Sequence, residues 1–482
     1  MAATRREFLE AGAGAALAAT LAEAPAWGAE RRPNFLVLIV DTLRADHLSC
    51  YGGRAWTPAM DDLARRGLRF THFYPEAMAT VPARRSIMTG RRVWPFRRWE
   101  RYPGLLNTPG WAPIEDPDET FTSALNRAGY WTAYVTDNPW IGFSRQYQRF
   151  RASFDRFERF TGQTGRAPTA NPVSKTDLQH WLTPELQRDP HSEQRLRGFI
   201  AAGGYWRDES LSWAAKVFGA AAQALEHGKR RQPFVVVADS YEPHEPWTPP
   251  RAYVDLYGDP AYGGREPGTT RYMRVSEWLS DKRAPIVLER MRALYAAEVT
   301  MTDHWIGFLI GRLRELALET DTVIVLVADH GHLFREHGWT GKISSILHPE
   351  LVHVPLIIVD PRAGPRKTGY LAQTHDIGPT LLSLAGVRSG EWMDGVDLSP
   401  LLRGKRPREG RKFAYGGYAN WHYARTHEWA YVANNFGTGR RLYDLERDPK
   451  EEDNIARRHR KRLDVLDAAI RRRAGDRIPV YH

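Results

Sequence analysis

Asn34-Phe35-Leu36-Val37-Leu38-Ile39-Val40 is an almost unbroken apolar run that stops at Asp41-Thr42. A strand with one wet face alternates apolar and polar residues. A continuous run of this kind marks a strand covered on both faces, as in a parallel sheet between helices. Residues 234–238 (FVVVA, then Asp239) and Thr322–Ala328 (TVIVLVA, then Asp329-His330) read the same way, and residues 354–359 supply a fourth run. Helical spacing separates them at residues 57–67, 121–128, 213–227, 286–318 and 377–385, with a break expected near Gly307 and Gly311. Shorter strands are expected at 68–74 and 131–135. The pattern predicts an α/β fold with a mostly parallel central sheet flanked by helices. Such sheets bind ligands beyond the carboxyl ends of their strands. Three buried runs end in Asp41, Asp239 and Asp329-His330, which places an active site there.

Working outward, the chain of 482 residues suffices for one large domain and a smaller one. Residues 30–404 read as the catalytic domain, in which 139–211 lose periodicity and form an elaborated insertion rich in Arg, Gln, Trp and Phe. Residues 405–482 change to short aromatic-rich strands followed by a basic helix from Asn454. The net charge of +11 comes mostly from arginine, which suits bidentate contact with sulfate, phosphate or carboxylate; a generally basic proteome explains it as well. No basic stripe accompanies a nucleic-acid motif, so no nucleic-acid partner is expected. No apolar run reaches the roughly 18 residues of a membrane span. Cys50 is the only cysteine, which excludes an intrachain disulfide and a cysteine zinc site and assigns Cys50 to packing. Residues 1–29 resemble a twin-arginine export signal. Thr4-Arg5-Arg6-Glu7-Phe8-Leu9 precedes a small-residue apolar stretch, with cleavage candidates at Ala24-Pro25-Ala26 and Ala29. The mature protein is expected in the periplasm or outside the cell.

Asp41, Asp329 and His330 could hold one divalent cation. Oxygen ligands favour calcium, magnesium or manganese, and an imidazole moves the choice toward manganese or zinc. The plainer reading of an aspartate after a strand is a turn former or helix cap. Thr80 precedes a helix expected to start at Pro82. It could ligate the same cation and become a nucleophile, or simply cap that helix. Arg84, on the first turn, could hold an anionic group or the nucleophile. Between residues 329 and 342 lie His330, His332, His337 and Lys342. Lys342 could neutralise a transferred group, with His337 assisting, while His332 is read as exposed. His244, in Pro243-His244-Glu245-Pro246-Trp247, is a candidate general acid for the leaving oxygen.

Thr80-Val81-Pro82-Ala83-Arg84 with Thr89-Gly90 resembles the signature of the sulfatase branch of the alkaline-phosphatase-like hydrolases. So do Asp41-Thr42-Leu43-Arg44, Thr57-Pro58-x-Met60-Asp61, and Asp329-His330-Gly331 with His337-Gly338 and Lys342. Val354-Pro355-Leu356, Asp376-Ile377-x-Pro379-Thr380 and Leu442-Tyr443-Asp444-Leu445 follow in the family's order. The resemblance implies a metal-dependent ester hydrolase with a small C-terminal antiparallel-sheet subdomain. It implies one divalent metal, calcium or manganese, on Asp41, Asp329 and His330; Thr42, standing where the family often has a second Asp, and Thr80 complete the candidate ligand set. Thr80 falls at the nucleophile position, with Arg84, His244, His337 and Lys342 around the anion. The family oxidises a Cys or Ser there to formylglycine. Threonine carries an extra methyl on Cβ and cannot become that aldehyde, so no formylglycine is expected.

A sulfated threonine lacks the exit that an aldehyde hydrate provides, whereas phosphothreonine can be hydrolysed with cationic assistance. The leading expectation is therefore an exported hydrolase or transferase of phosphate esters, acting on an anionic small molecule or glycan. A sulfatase working through Thr80 and a catalytically silent binder of anionic glycans are the alternatives.

Overall fold

The computed structural model describes residues 32–482 except 98, 115, 143, 162, 164–172 and 203–207. The export-signal expectation for residues 1–29 lies outside them. We label the central-sheet strands β1 (Asn34–Val40), β2 (Leu68–Phe70), β3 (Trp131–Thr136), β4 (Arg156–Arg159), β5 (Phe234–Ser240), β6 (Thr322–Ala328), β7 (Leu356–Val359) and β8 (Arg366–Thr368). Their spatial order is β8-β2-β7-β6-β1-β5-β3-β4, and every strand is parallel except β7. The three continuous apolar runs are the three central neighbours β6, β1 and β5, and every residue of each is buried. Burying one Val, Leu or Ile side chain stabilises by about 1.5–3 kcal/mol, so these strands dominate the core.

Helices cover both faces, as the alternation of runs requires. The long helix Ala284–Glu315 is unbroken: Gly307 and Gly311 remain helical. A glycine costs a helix only about 1 kcal/mol, less than the packing of this helix returns. Its Asp303 carboxylate accepts from the amides of Ala59 and Met60, and so caps the helix Pro58–Arg66 from outside.

Other boundaries differ from expectation. Residues 68–74 split into β2 and a second short strand, Phe73–Tyr74. The aperiodic region 139–211 is not only an insertion, because its β4 forms the edge of the main sheet. It also carries the helix Pro190–Ala202, which we call the mouth helix. The terminal helix starts at Arg460 rather than Asn454.

The C-terminal sheet is antiparallel through Ala414–Tyr418, Trp421–Arg425, Trp429–Asn434 and Arg441–Asp444. Its first strand also pairs in parallel with Ala77–Met78, one residue short of Thr80. Gly416 makes this possible: a Cβ there would lie 2.2 Å from the carbonyl oxygen of Glu76. The C-terminal sheet thus braces the segment that presents Thr80.

Candidate active site

Thr80 opens the helix Thr80–Thr89, two residues earlier than the Pro82 start expected from sequence. Proline fits the first turn because its missing amide hydrogen has no intrahelical partner there. Thr80 is 2% exposed, and its hydroxyl does not cap the helix. Its Oγ1 instead lies 3.4 Å from His330 Nε2.

Asp41, Asp329 and His330 come from the ends of β1 and β6, and their ligand atoms all lie within 4.8 Å of one another. His330 Nδ1 faces the Gly331 carbonyl oxygen at 3.0 Å. A carbonyl only accepts, so Nδ1 carries the hydrogen and Nε2 of the neutral ring offers a lone pair toward the carboxylates and Thr80. Thr42 has φ 60°, a left-handed conformation costly for a β-branched residue. Three hydrogen bonds hold it there. Its amide donates to Asp329 Oδ1 (2.9 Å), its hydroxyl donates to Asp41 Oδ1 (2.6 Å), and its carbonyl accepts from the Tyr295 hydroxyl (2.7 Å). The Thr42 hydroxyl, expected as a ligand, is therefore committed to orienting one.

Arg84 is fully buried. Nη1 lies 2.5 Å from Asp329 Oδ2 and 3.1 Å from Asp41 Oδ2. Nε and Nη2 clasp the Asp239 carboxylate at 3.0 and 2.7 Å, and Tyr134 donates to the same carboxylate at 2.7 Å. Nη1 also reaches the Thr80 carbonyl at 3.3 Å. Of the two roles expected for Arg84, holding an anion or holding the nucleophile, the contact with the Thr80 carbonyl fits the second, and Arg84 is not among the residues lining the cavity above Thr80. It ties the Thr80 segment to three carboxylates. Burial and the neighbouring Asp329 carboxylate push Asp41 well above the usual range. Burial acts on Asp329 too, but His330 and Arg84 outweigh it and hold that carboxylate low, at about 2. Three carboxylates facing one guanidinium leave negative charge uncompensated in a buried place. Two carboxylates and one imidazole around that charge fit a divalent cation.

Above Thr80 opens a cavity of about 470 Å³ whose walls include Trp111, Trp140, Tyr241, His244, Glu245 and Lys342. His244 Nδ1 lies 2.7 Å from the Glu245 carbonyl, so it too carries the hydrogen. Nε2 then accepts, from the Tyr241 hydroxyl at 2.9 Å and from Lys342 Nζ at 3.1 Å. Burial, with help from the Lys342 ammonium, drives His244 down to about 3. A neutral ring whose Nε2 accepts from Tyr241 and Lys342 has no proton to give from that nitrogen, contrary to the general-acid expectation. The donors beside it are Lys342 and Tyr241.

Glu245 was missed, although it adjoins His244 in sequence. It is 1% exposed, and its carboxylate takes Lys342 Nζ at 3.1 Å, Arg195 Nη1 at 3.3 Å and the Tyr272 hydroxyl. Against the cost of burial, His244, Lys342, His332 and Arg195 keep Glu245 well below the usual range. Asp239 ended a buried run like its two counterparts and could have been assigned on that signal. Tyr241, Tyr134 and Arg195 carried none.

Two histidines depart from expectation. His332 is buried rather than exposed, packed edge-on to Trp247 at 5.2 Å and 3.8 Å from Glu245. His337 does not join Thr80. It stacks on His348 at 3.7 Å, lies 3.5 Å from Glu350, and lines a different cavity with Arg44, Asp46 and Glu336.

Comparison with known proteins gives the family. Residues 33–387 match the family described as "Sulfatase", and residues 335–472 match "N-sulphoglucosamine sulphohydrolase, C-terminal". The chain is 25% identical over 506 residues to an N-acetylglucosamine-6-O-sulfatase of Bacteroides thetaiotaomicron, covering 88% of this chain and 83% of that one. It is 26% identical over 500 residues to a choline-sulfatase of Rhizobium meliloti, covering 93% and 91%. A phosphonate monoester hydrolase of Agrobacterium radiobacter shares the fold with a TM-score of 0.68 at 22% identity, over 92% of this chain and 96% of that one. Those sulfatases and that phosphonate hydrolase cleave ester bonds at sulfur or phosphorus, and the family typically binds a divalent metal. The protein is a member of the sulfatase family, an ester hydrolase built on the alkaline-phosphatase-like fold.

Proposed function

We propose that this chain is an exported, metal-dependent hydrolase or transferase of phosphate esters in which Thr80 is the nucleophile. One observation carries the reading: Thr80 Oγ1 lies 3.4 Å from His330 of the Asp41–Asp329–His330 cluster, and Thr80 lines the same cavity as the Lys342–His244 pair. A divalent cation on Asp41, Asp329 and His330 would lower the hydroxyl pKa and neutralise the substrate anion. Arg84 and Thr42 hold the carboxylates and the Thr80 segment in place. With its hydroxyl proton passed to solvent, Thr80 Oγ1 forms its bond to phosphorus as the bond to the leaving oxygen breaks. Lys342, kept near the cavity by Glu245, supplies the proton to that oxygen. Water then attacks the phosphothreonine and the P–Oγ1 bond breaks; one water proton returns to Thr80 Oγ1, the other leaves with the phosphate or phosphate monoester, and Lys342 regains its proton from solvent. Calcium or manganese is the proposed ion, and the periplasm or exterior the proposed location, the latter from the twin-arginine-like residues 4–9.

A sulfuric ester is the second reading, favoured by the names of the relatives, including one that acts on a sulfated glucosamine. The test is a paired assay of the metal-analysed protein and Thr80→Ala on an aryl phosphate diester, an aryl phosphate monoester and an aryl sulfate. The phosphate reading predicts phosphoester turnover that falls at least about 10³-fold in the variant, with metal content retained. Turnover of the sulfate alone would replace it with the sulfatase reading. Turnover of none by a metal-loaded protein would support a silent binder.

A further inference from the structure

Asn138 is fully buried, and no role has yet fallen to it. Its strand, β3, pairs with β5, which separates it from β1, and Thr136 at the end of β3 stands opposite Asp239. Two residues past that end, Asn138 reaches across to the cation cluster. Its Nδ2 lies 3.3 Å from Asp41 Oδ2. The two ends of the amide are told apart by their partners. Oδ1 accepts the Trp140 backbone hydrogen at 3.1 Å, which leaves the donor end for the carboxylate. The backbone beneath is fixed as well. The Asn138 N–H donates to Thr136 Oγ1 at 2.9 Å, and Pro139 keeps the residue before it out of the helical region.

Asp41 needs such a partner more than Asp329 does. Asp329 Oδ1 receives two backbone amides, from Thr42 at 2.9 Å and from His330 at 2.7 Å, and these move only with the chain. The groups on the Asp41 carboxylate are side chains. The Thr42 hydroxyl, at 2.6 Å from Oδ1, can rotate about its C–O bond. Arg84 Nη1, at 3.1 Å from Oδ2, is shared with Asp329 at 2.5 Å and with the Thr80 carbonyl at 3.3 Å. Asn138 Nδ2 is given to Asp41 alone among the described residues. A carboxylate oxygen has two lone pairs, so a fixed donor on one of them aims the other. Groups bonded to a metal's ligands set its affinity in this way.

We infer that Asn138 is a positioning residue for the divalent cation: its amide fixes the direction in which the Asp41 carboxylate is offered, and so sets the affinity of the Asp41–Asp329–His330 cluster. The same short segment carries Trp140, a wall of the cavity above Thr80. The inference rests on the cation reading of the cluster and is independent of the choice between phosphate and sulfate.

The test is calorimetry of calcium or manganese chloride added to metal-stripped protein, with no substrate present. Asn138→Leu keeps the volume of the side chain and removes its donor and acceptor; Asn138→Ala removes the amide altogether. Each should bind the ion preferred by native protein about 10- to 100-fold more weakly. Trp140→Phe alters the same segment but leaves the backbone hydrogen on Asn138 Oδ1, and should stay within about twofold of native. Affinity within about twofold of native in either Asn138 variant, folded by circular dichroism, would overturn the inference. So would an equal loss in Trp140→Phe, because the segment as a whole would then set the affinity. A crystal structure of the native protein loaded with the ion needs no variant. Asn138 Nδ2 should stay within hydrogen-bond distance of Asp41 Oδ2, and an amide turned away from Asp41 would overturn the inference even if no Asn138 variant folds. Native protein that binds neither ion would overturn the cation reading itself, whereas tight native binding with unaffected variants overturns the role of Asn138 alone.

Discussion

The floor and the rim of the larger cavity are built from the same kinds of group with opposite architecture. The floor places Asp41, Asp239 and Asp329 at the ends of adjacent buried strands and ties them through one guanidinium, Arg84. The rim places Lys342, His244 and Arg195 on loops and on the mouth helix and ties them through one carboxylate, Glu245. The floor has excess negative charge awaiting a cation. The rim has excess positive charge awaiting an anion. An ester at phosphorus or sulfur belongs between them, with its developing charge turned toward the rim and its nucleophile held on the floor. Each layer is organised by a hub of the opposite sign, and the hubs are where the comparison can be broken.

The largest effect is expected at the floor. Asp239→Ala removes the bidentate partner of a fully buried guanidinium and should cost about 3–5 kcal/mol of stability, read by urea unfolding of the metal-free protein. A change below about 1 kcal/mol would mean that Arg84 does not depend on Asp239. The rim hub should matter less to the fold and more to turnover. Glu245→Gln keeps the shape but loses the charge that gathers Lys342, and should lower kcat/KM about 10- to 100-fold while leaving metal content unchanged. Equal losses of stability in the two variants would erase the distinction between the layers.

A smaller effect comes from protonation at the rim. The folded His244 ring refuses a proton until about pH 3, whereas an unfolded histidine accepts one near 6.5. The unfolded chain thus binds one more proton between those values, and this residue makes stability fall as pH drops from about 6.5 toward 3. The slope is about 1.4 kcal/mol per pH unit for one proton. His244→Gln should remove about one proton's worth of that slope in unfolding measured against pH. An unchanged slope would show that the ring charges in the folded state. The smallest effect is expected outside both layers. His337→Ala changes a residue of the separate cavity beside Glu350 and should alter kcat/KM by less than about threefold. A loss comparable to that of Glu245→Gln would return His337 to the chemistry.

The same contrast explains what could be read from the chain. The floor was legible because its residues end continuous apolar runs, and strand burial and strand order are local consequences of that pattern. The central sheet and the gathering of Asp41, Asp329 and His330 follow from it, whereas the antiparallel C-terminal sheet and the place of Thr80 were expected only from the resemblance to the sulfatase signature. Direction was harder: β7 is apolar like its neighbours, and nothing in residues 356–359 distinguishes an antiparallel strand. The rim was half legible. His244 and Lys342 stood out by type, but the hydrogen bond from Nδ1 to the Glu245 carbonyl, which removes the proton from the working nitrogen, depends on backbone geometry. His337 misled because its nearness to Lys342 in sequence does not survive the turn at Arg335 and His337, where both residues adopt positive φ. Glu245 and Arg195, fifty positions apart, meet only once the mouth helix has folded over the sheet.

The central claim is that Thr80 becomes covalently attached to the transferred group. The direct measurement is high-resolution mass spectrometry of protein mixed with an aryl phosphate ester, quenched in acid within the first turnovers and digested. The account predicts a phosphoryl group on the peptide containing residues 80–84, carried by Thr80 and lost on longer incubation. Steady phosphoester turnover with Thr80 unmodified at every quench time, and equally fast in Thr80→Ala, would contradict it.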